Sequence, residues 1–169
     1  MIVEIFSPWG EYYATTPNSI PPHVYMDMVV QSGIPCDAFG LRFHFGKNEH
    51  GMHIRDMMQI SAMLDTFSSV SKPLHITDVQ VPCENGTGVY SGTVAGIWHN
   101  KWDREHQSKW IEQFYKIALS KSFVESVVYG NLVDSDNSTI ASSGLISRNM
   151  EPKESYRILR KLFKTIYHR

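Results

Sequence analysis

The polar side chains most able to do chemistry in this chain sit within or just beyond its apolar runs. Asp78 lies inside Leu-His-Ile-Thr-Asp-Val-Gln-Val, residues 74–81. Aspartate is disfavoured in strands, and a buried charge is costly unless paired. An aspartate there serves either chemistry, as a nucleophile or substrate contact, or a fixed ion pair with Arg42 or His44. His44 closes residues 37–44, Asp-Ala-Phe-Gly-Leu-Arg-Phe-His. It reads as a ligand-facing imidazole or as a satisfied core histidine. Arg42, Gln80 and Asn131 are the further candidates for contacting a polar substrate. Glu11 follows Trp9-Gly10 and offers a second carboxylate, against the alternative of a solvated loop glutamate. Trp98, His99 and Trp102 occupy a loop over residues 82–102. Loops of that length are uncommon unless functional. Flat aromatic faces suit the apolar faces of sugar rings, with loop packing as the plainer reading.

The elements that position these residues alternate. Short apolar runs at residues 2–6, 37–44, 74–81 and 123–133 read as strands. Between and after them lie helical patterns at residues 22–32, 53–70 and 104–119, and a last helix opened by Pro152. Pro22 suits a first turn, Gly33 a stop, and Asp103 an N-cap. The order β-α-β-α-β-α-β-α predicts four parallel strands in sequence order with right-handed crossovers. The strands read as mostly apolar, as when both faces are buried. Two architectures fit, an open doubly wound sheet and part of a (β/α)8 barrel. The first lacks a Gly-rich phosphate loop after the first strand, and the second usually needs about 250 residues. Both put function at the C-terminal ends of the strands, where the residues above fall.

Composition narrows the function. The chain has 169 residues, 16 Lys+Arg against 17 Asp+Glu, and 42% hydrophobic residues. That is a globular composition without the basic excess of a nucleic-acid or membrane-surface binder. No segment reads as a transmembrane helix or a signal peptide, which predicts a cytoplasmic protein, or a secreted one if an N-terminal part is missing. Two cysteines, Cys36 and Cys83, make no disulfide framework and are expected to be free thiols. His44, His50, His53 and Asp56 match no standard metal spacing, so no metal is expected. No cofactor motif occurs, and no nucleophile elbow supports Ser-His-Asp catalysis. The methionines of residues 52–63 read as core, and the cations of the last helix as a solvated face.

The ordered set of motifs resembles glycoside hydrolase family 10, the endo-β-1,4-xylanases. Residues 37–44 resemble that family's sixth barrel strand. Residues 73–81, Pro-Leu-His-Ile-Thr-Asp-Val-Gln-Val, resemble the seventh, and residues 127–134, Val-Val-Tyr-Gly-Asn-Leu-Val-Asp, the eighth. Gly144-Leu145-Ile146 and Pro152-Lys153-Glu154-Ser155-Tyr156 are similar to its closing segment and last helix. The resemblance covers about residues 22–164 and implies the C-terminal half of a TIM barrel, four βα units matching strands five to eight. It places His44 at the histidine that contacts the nucleophile, and Asp78 at the nucleophile, where the family has glutamate. Arg42 stands for a substrate-contacting glutamine, and Gly130 for a tryptophan that floors the sugar site. The Trp…Asn-Glu segment that carries the family's acid/base has no counterpart in these residues.

What the resemblance implies is a glycoside hydrolase acting on β-linked, xylan-like polysaccharide, incomplete without an acid/base. The alternative is a half-barrel that binds carbohydrate or a partner without hydrolysis. Either form leaves two strand edges and an inner face uncovered. Self-association, or a partner supplying the other half-barrel, is therefore expected.

Overall fold

The computed structural model describes residues 1–6, 8–9, 16–46, 56–84 and 101–167. Four strands, β1 (Ile2–Ile5), β2 (Ala38–His44), β3 (Leu74–Gln80) and β4 (Val124–Tyr129), form one sheet in that order. Every pairing is parallel, as the alternation predicts. The helices are α1 (Pro22–Gln31), α2 (Met57–Phe67), α3 (Arg104–Ser120) and α4 (Glu154–Tyr167), with a short 3-10 turn at Ser68–Val70.

Local chemistry sets the helix ends. Pro22 occupies the first turn of α1, where its missing N–H costs nothing. At the start of α2, Asp56 Oδ1 accepts from the Gln59 amide at 2.7 Å, and Gln59 Oε1 accepts from the Asp56 amide at 3.0 Å. This reciprocal box satisfies two otherwise orphaned donors. Asp103 caps α3 through the His106 amide at 2.7 Å.

Two boundaries differ from expectation. β4 stops at Tyr129 instead of running to Val133, because the chain turns at Gly130 and Val133 bridges Ile146 instead. Pro152 does not open α4. It bridges Ile146, and the helix begins at Glu154.

The sheet has two unlike faces, whereas apolar runs predict burial on both. One face is packed by the helices. Phe39, Leu41, Phe43, Leu74, Ile76 and Val79 meet Met26, Ile60, Leu64, Ile111, Phe114 and Ala118 there, all buried. Trp9, Phe43, Phe45, Trp110 and Phe114 interlock toward the C-terminal strand ends, with centroids 5.0–5.4 Å apart in five edge-on or tilted contacts. The opposite, concave face carries Ile2, Glu4, Gly40, Arg42, His44, His75, Thr77 and Ser126. A Cβ at Gly40 would touch Thr77, Ile2 and Glu4 side chains at 3.0–3.5 Å. Alternation along the strands thus sends most of the apolar residues to the helices and most of the polar ones to what would be a barrel lumen. Cys36 and Cys83 are buried free thiols, as expected.

Candidate functional site

The site stands at the C-terminal ends of β2 and β3. The register between these strands slips after Leu41, so that Arg42 pairs with Asp78 and His44 with Gln80. A second slip lies between Ile76 and Val79 against β4. Such irregularities re-aim side chains. Here they let two consecutive residues serve the concave face. Thr77 Oγ1 donates to Glu4 Oε1 at 2.6 Å, and the Asp78 carboxylate meets His44.

Asp78 is the centre of the arrangement. His44 Nε2 lies 2.6 Å from Asp78 Oδ2 and donates to it, since an ionised carboxylate only accepts. Gln80 Nε2 donates to Oδ2 at 3.1 Å and lies 3.3 Å from Oδ1. The carboxylate side chain keeps 17% of its surface exposed and the imidazole 12%. Burial opposes the Asp78 charge. The His44 hydrogen bond and charge, the Gln80 amide and the Arg42 charge outweigh it and hold the pKa below the ordinary 3.8. The ionised form therefore stabilises the fold above that ordinary value, and the contribution disappears as pH falls through the lower folded value. Urea unfolding of the wild type should weaken more steeply below about pH 4 than that of Asp78→Asn. Parallel pH profiles would show that the carboxylate is not held as described.

Of the two ion-pair partners the sequence offers Asp78, the structure selects His44. Arg42 instead pairs with Glu4 at 2.9 Å and lies 4.5 Å over the Phe6 ring. Burial raises the Glu4 pKa, but the Arg42 and Thr77 hydrogen bonds outweigh it and leave the group lowered. Glu4 is a polar residue of this face that sequence reasoning passed over, as are His75 and Ser126, which meet at 2.8 Å.

Gln80 and Asn131, expected at substrate, turn inward. Gln80 is 5% exposed. Its Oε1 accepts from Asn131 Nδ2 at 3.2 Å and from the Ile140 amide at 3.3 Å. Asn131 Nδ2 also donates to Ser143 Oγ at 2.9 Å. This chain ties the turn after β4 to the end of β3 and aims the Gln80 amide at Asp78. Trp102 is 4% exposed and packs edge-on against Trp110 at 5.5 Å, so its faces are given to the core and the packing alternative describes it. Glu11 and Trp98 lie outside the described residues.

Gly130 explains a departure noted in the sequence. A Cβ at this position would lie 2.0 Å from Asp78 Oδ1 and 3.0 Å from Gln80 Cγ. The glycine is needed for the carboxylate to sit where it does, and no larger side chain fits beside it.

Beneath the rim lies a second buried polar group. Lys153 Nζ pairs with Asp134 Oδ2 at 2.7 Å and donates to the Ser142 carbonyl at 3.1 Å, with Cys83 Sγ at 3.2 Å. Burial raises the Cys83 pKa against the opposing pull of Lys153. Gln107, wholly buried, donates to the Val81 carbonyl at 2.8 Å and accepts from Ser155 Oγ at 3.0 Å. Nothing in the local sequence around Lys153 or Gln107 signals burial. Among the described residues no cluster of three or more His, Cys, Asp or Glu could hold a metal ion.

The arrangement offers one carboxylate, oriented by an imidazole and an amide at the open end of a parallel sheet. It can attack or stabilise a cationic centre. It does not itself protonate a leaving group.

The fold matches part of a TIM-barrel glycosidase. No family model and no curated protein sequence matches the chain. Among solved structures it is similar to xylanase 10B from Thermotoga maritima, with TM-score 0.63 and 17% identity over 99% of this chain and 48% of that one. The intracellular xylanase TsXylA of Thermoanaerobacterium saccharolyticum gives TM-score 0.63 and 13% identity, covering 94% of this chain and 43% of that one. β-Glucuronidase from Faecalibacterium prausnitzii gives TM-score 0.57 and 16% identity, covering 78% of this chain and 22% of that one. The chain thus spans about half the length of the xylanases it matches. The described helices include none long and apolar enough to cross a membrane.

Proposed function

We propose that the chain is the nucleophile-bearing half of a family 10-like glycoside hydrolase barrel acting on β-linked, xylan-like polysaccharide. The observation that carries the reading is the Asp78–His44 contact at 2.6 Å at the C-terminal ends of β3 and β2. That is where a TIM barrel performs its chemistry. In this reading Asp78 is the nucleophile, and His44 and Gln80 position it. Arg42, held by Glu4 on the same face of the sheet, is the substrate contact. Fold similarity to glycosidase barrels supports the reaction class, and the substrate class rests on the sequence resemblance.

Retaining glycosidases place two carboxyls about 5–5.5 Å apart, one as nucleophile and one as acid/base. Among the described residues only the first role is supplied, since Glu4 is committed to Arg42 and Thr77. Leaving-group protonation is worth about 10²–10⁴-fold. Hydrolysis by the chain alone is therefore expected on an activated aryl β-xyloside, whose leaving group needs no proton, and not on xylan. Asp78→Asn should abolish it. Xylan hydrolysis at enzymatic rates, or aryl xyloside turnover unchanged in Asp78→Asn, would refute the assignment of roles.

A further inference from the structure

Asn131 faces the protein and not a substrate, and its partners show what it does there. We propose that Asn131 is a positioning residue, which with the Ile140 amide and Ser143 locks the Gln80 carboxamide with its NH2 end toward Asp78. Its part in catalysis rests on the reading of Asp78 as nucleophile. The lock itself, and its effect on the charge of Asp78, do not.

A glutamine amide has two ends of nearly equal shape and opposite polarity. Gln80 Nε2 lies 3.1 Å from Asp78 Oδ2 and 3.3 Å from Oδ1. An ionised Asp78 favours that sense. A protonated Asp78 favours the reverse, because its O–H could donate to the carbonyl of a turned amide. An amide free to turn would therefore follow the proton and stabilise the neutral acid. An amide that cannot turn favours the carboxylate alone.

The donors at the other end forbid the turn. Gln80 Oε1 accepts from the Ile140 backbone N–H at 3.3 Å and from Asn131 Nδ2 at 3.2 Å. Asn131 Nδ2 also donates to Ser143 Oγ at 2.9 Å, which leaves the hydroxyl proton to point at Gln80 Oε1, 3.5 Å away. A backbone N–H cannot reverse its polarity, so the Ile140 amide fixes the sense of Gln80. Asn131 and Ser143 reinforce it. Gln80 is 5% exposed and Ser143 wholly buried, so water does not readily replace a lost donor.

The donors are themselves anchored. The Gly144 amide donates to Asp134 Oδ1 at 2.7 Å, and Lys153 holds the same carboxylate and the Ser142 carbonyl. Tyr129 donates its phenolic proton to the Ser143 carbonyl at 2.7 Å. The backbone on both sides of Ser143 is thus tied down by groups that never touch Asp78. Linked hydrogen bonds of this kind act as a unit. The other groups that face Asp78 are His44 at 2.6 Å and the charges of Arg42 and Glu4, from β2 and β1. On the β4 side Gly130 adjoins it and carries no charge. Breaking the lock alters none of these.

An NMR titration of the intact chain, with ¹³C in the aspartate carboxyls and ¹⁵N in the glutamine side chains, tests this. Asp78→Asn and Gln80→Met assign the two resonances. Asn131→Leu with Ser143→Ala removes two of the three donors. The Asp78 pKa should then rise by about one pH unit, a tenfold gain in proton affinity. The Gln80 NH2 signals, sharp in the wild type, should broaden as the amide turns. Either change alone should act in the same direction, and carries the test if the pair does not fold. In Gln80→Met the same changes should move Asp78 no further. An Asp78 pKa unmoved in a folded variant would overturn the proposal. So would an equal rise with and without Gln80, since the effect would then bypass the amide. A chain that shows these shifts and yet forms no glycosyl ester on Asp78 would keep the lock and refute the nucleophile. An ester on Asp78 with an unmoved pKa would refute the lock alone.

Discussion

Replacing Lys153 by methionine is expected to destabilise the protein by about 3–5 kcal/mol. The ammonium is nearly inaccessible and its Asp134 partner is 10% exposed, at 2.7 Å. Removing the cation leaves the buried Asp134 carboxylate with the Gly144 amide but no counter-charge, and takes the lysine donor from the Ser142 carbonyl and the Cys83 sulfur. Such a loss is a large share of a domain's total stability of about 5–15 kcal/mol. Asp134→Leu added to Lys153→Met should return part of it, because a matched apolar pair costs less than one stranded charge. Chemical denaturation measures both. A single-variant loss below about 1 kcal/mol, the range of exposed pairs, would mean that water reaches the pair.

The second large effect falls on Gly130. Gly130→Ala puts a methyl 2.0 Å from the position of Asp78 Oδ1. The carboxylate end of an aspartate can usually swing aside at little cost. Asp78 cannot do so freely, because His44 and Gln80 both hold it. The expected cost is about 1–3 kcal/mol, typical of overpacking. Any activity that depends on the carboxylate should fall by about 10²-fold, the penalty for an error near 1 Å. In Asp78→Ala, which removes the closest obstructing atoms and leaves Gln80 Cγ at 3.0 Å, Gly130→Ala should cost clearly less than in the wild type. If the two changes simply add, the glycine is not there for the carboxylate.

Strand and helix order was legible because the apolar runs, proline, glycine and capping aspartates each act locally. Asp56 and Asp103 cap helices through bonds to residues three positions away. Asp78 and His44 were legible for another reason, since a charge in an apolar run advertises its need for a partner. What escaped depends on contacts distant in the chain. Lys153 looks like a surface lysine beside Pro152, and only its meeting with Asp134 and Cys83 makes it internal. Glu4 in a four-residue strand reads as a solvated edge until Arg42, thirty-eight positions on, comes beside it. Gln80 and Asn131 carry the same amide whether it faces a sugar or the protein. The register slip after Leu41 decides which, and composition does not encode it. The early end of β4 follows from the bend at Gly130 and the bridge from Val133 to Ile146, a contact seen only once the chain beyond β4 is in place.

Covalent trapping tests the central claim, that Asp78 is a glycosidase nucleophile, most directly. A 2-deoxy-2-fluoro-β-xyloside with a dinitrophenolate leaving group slows both displacement steps but needs no proton from the protein to begin. After incubation with the intact chain, mass spectrometry of the digest should find one fluoroxylosyl ester, on the peptide containing Asp78. Asp78→Asn should carry none. An ester on Glu4, Glu11 or another carboxylate, or an unlabelled chain under conditions that label a xylanase, would contradict the account.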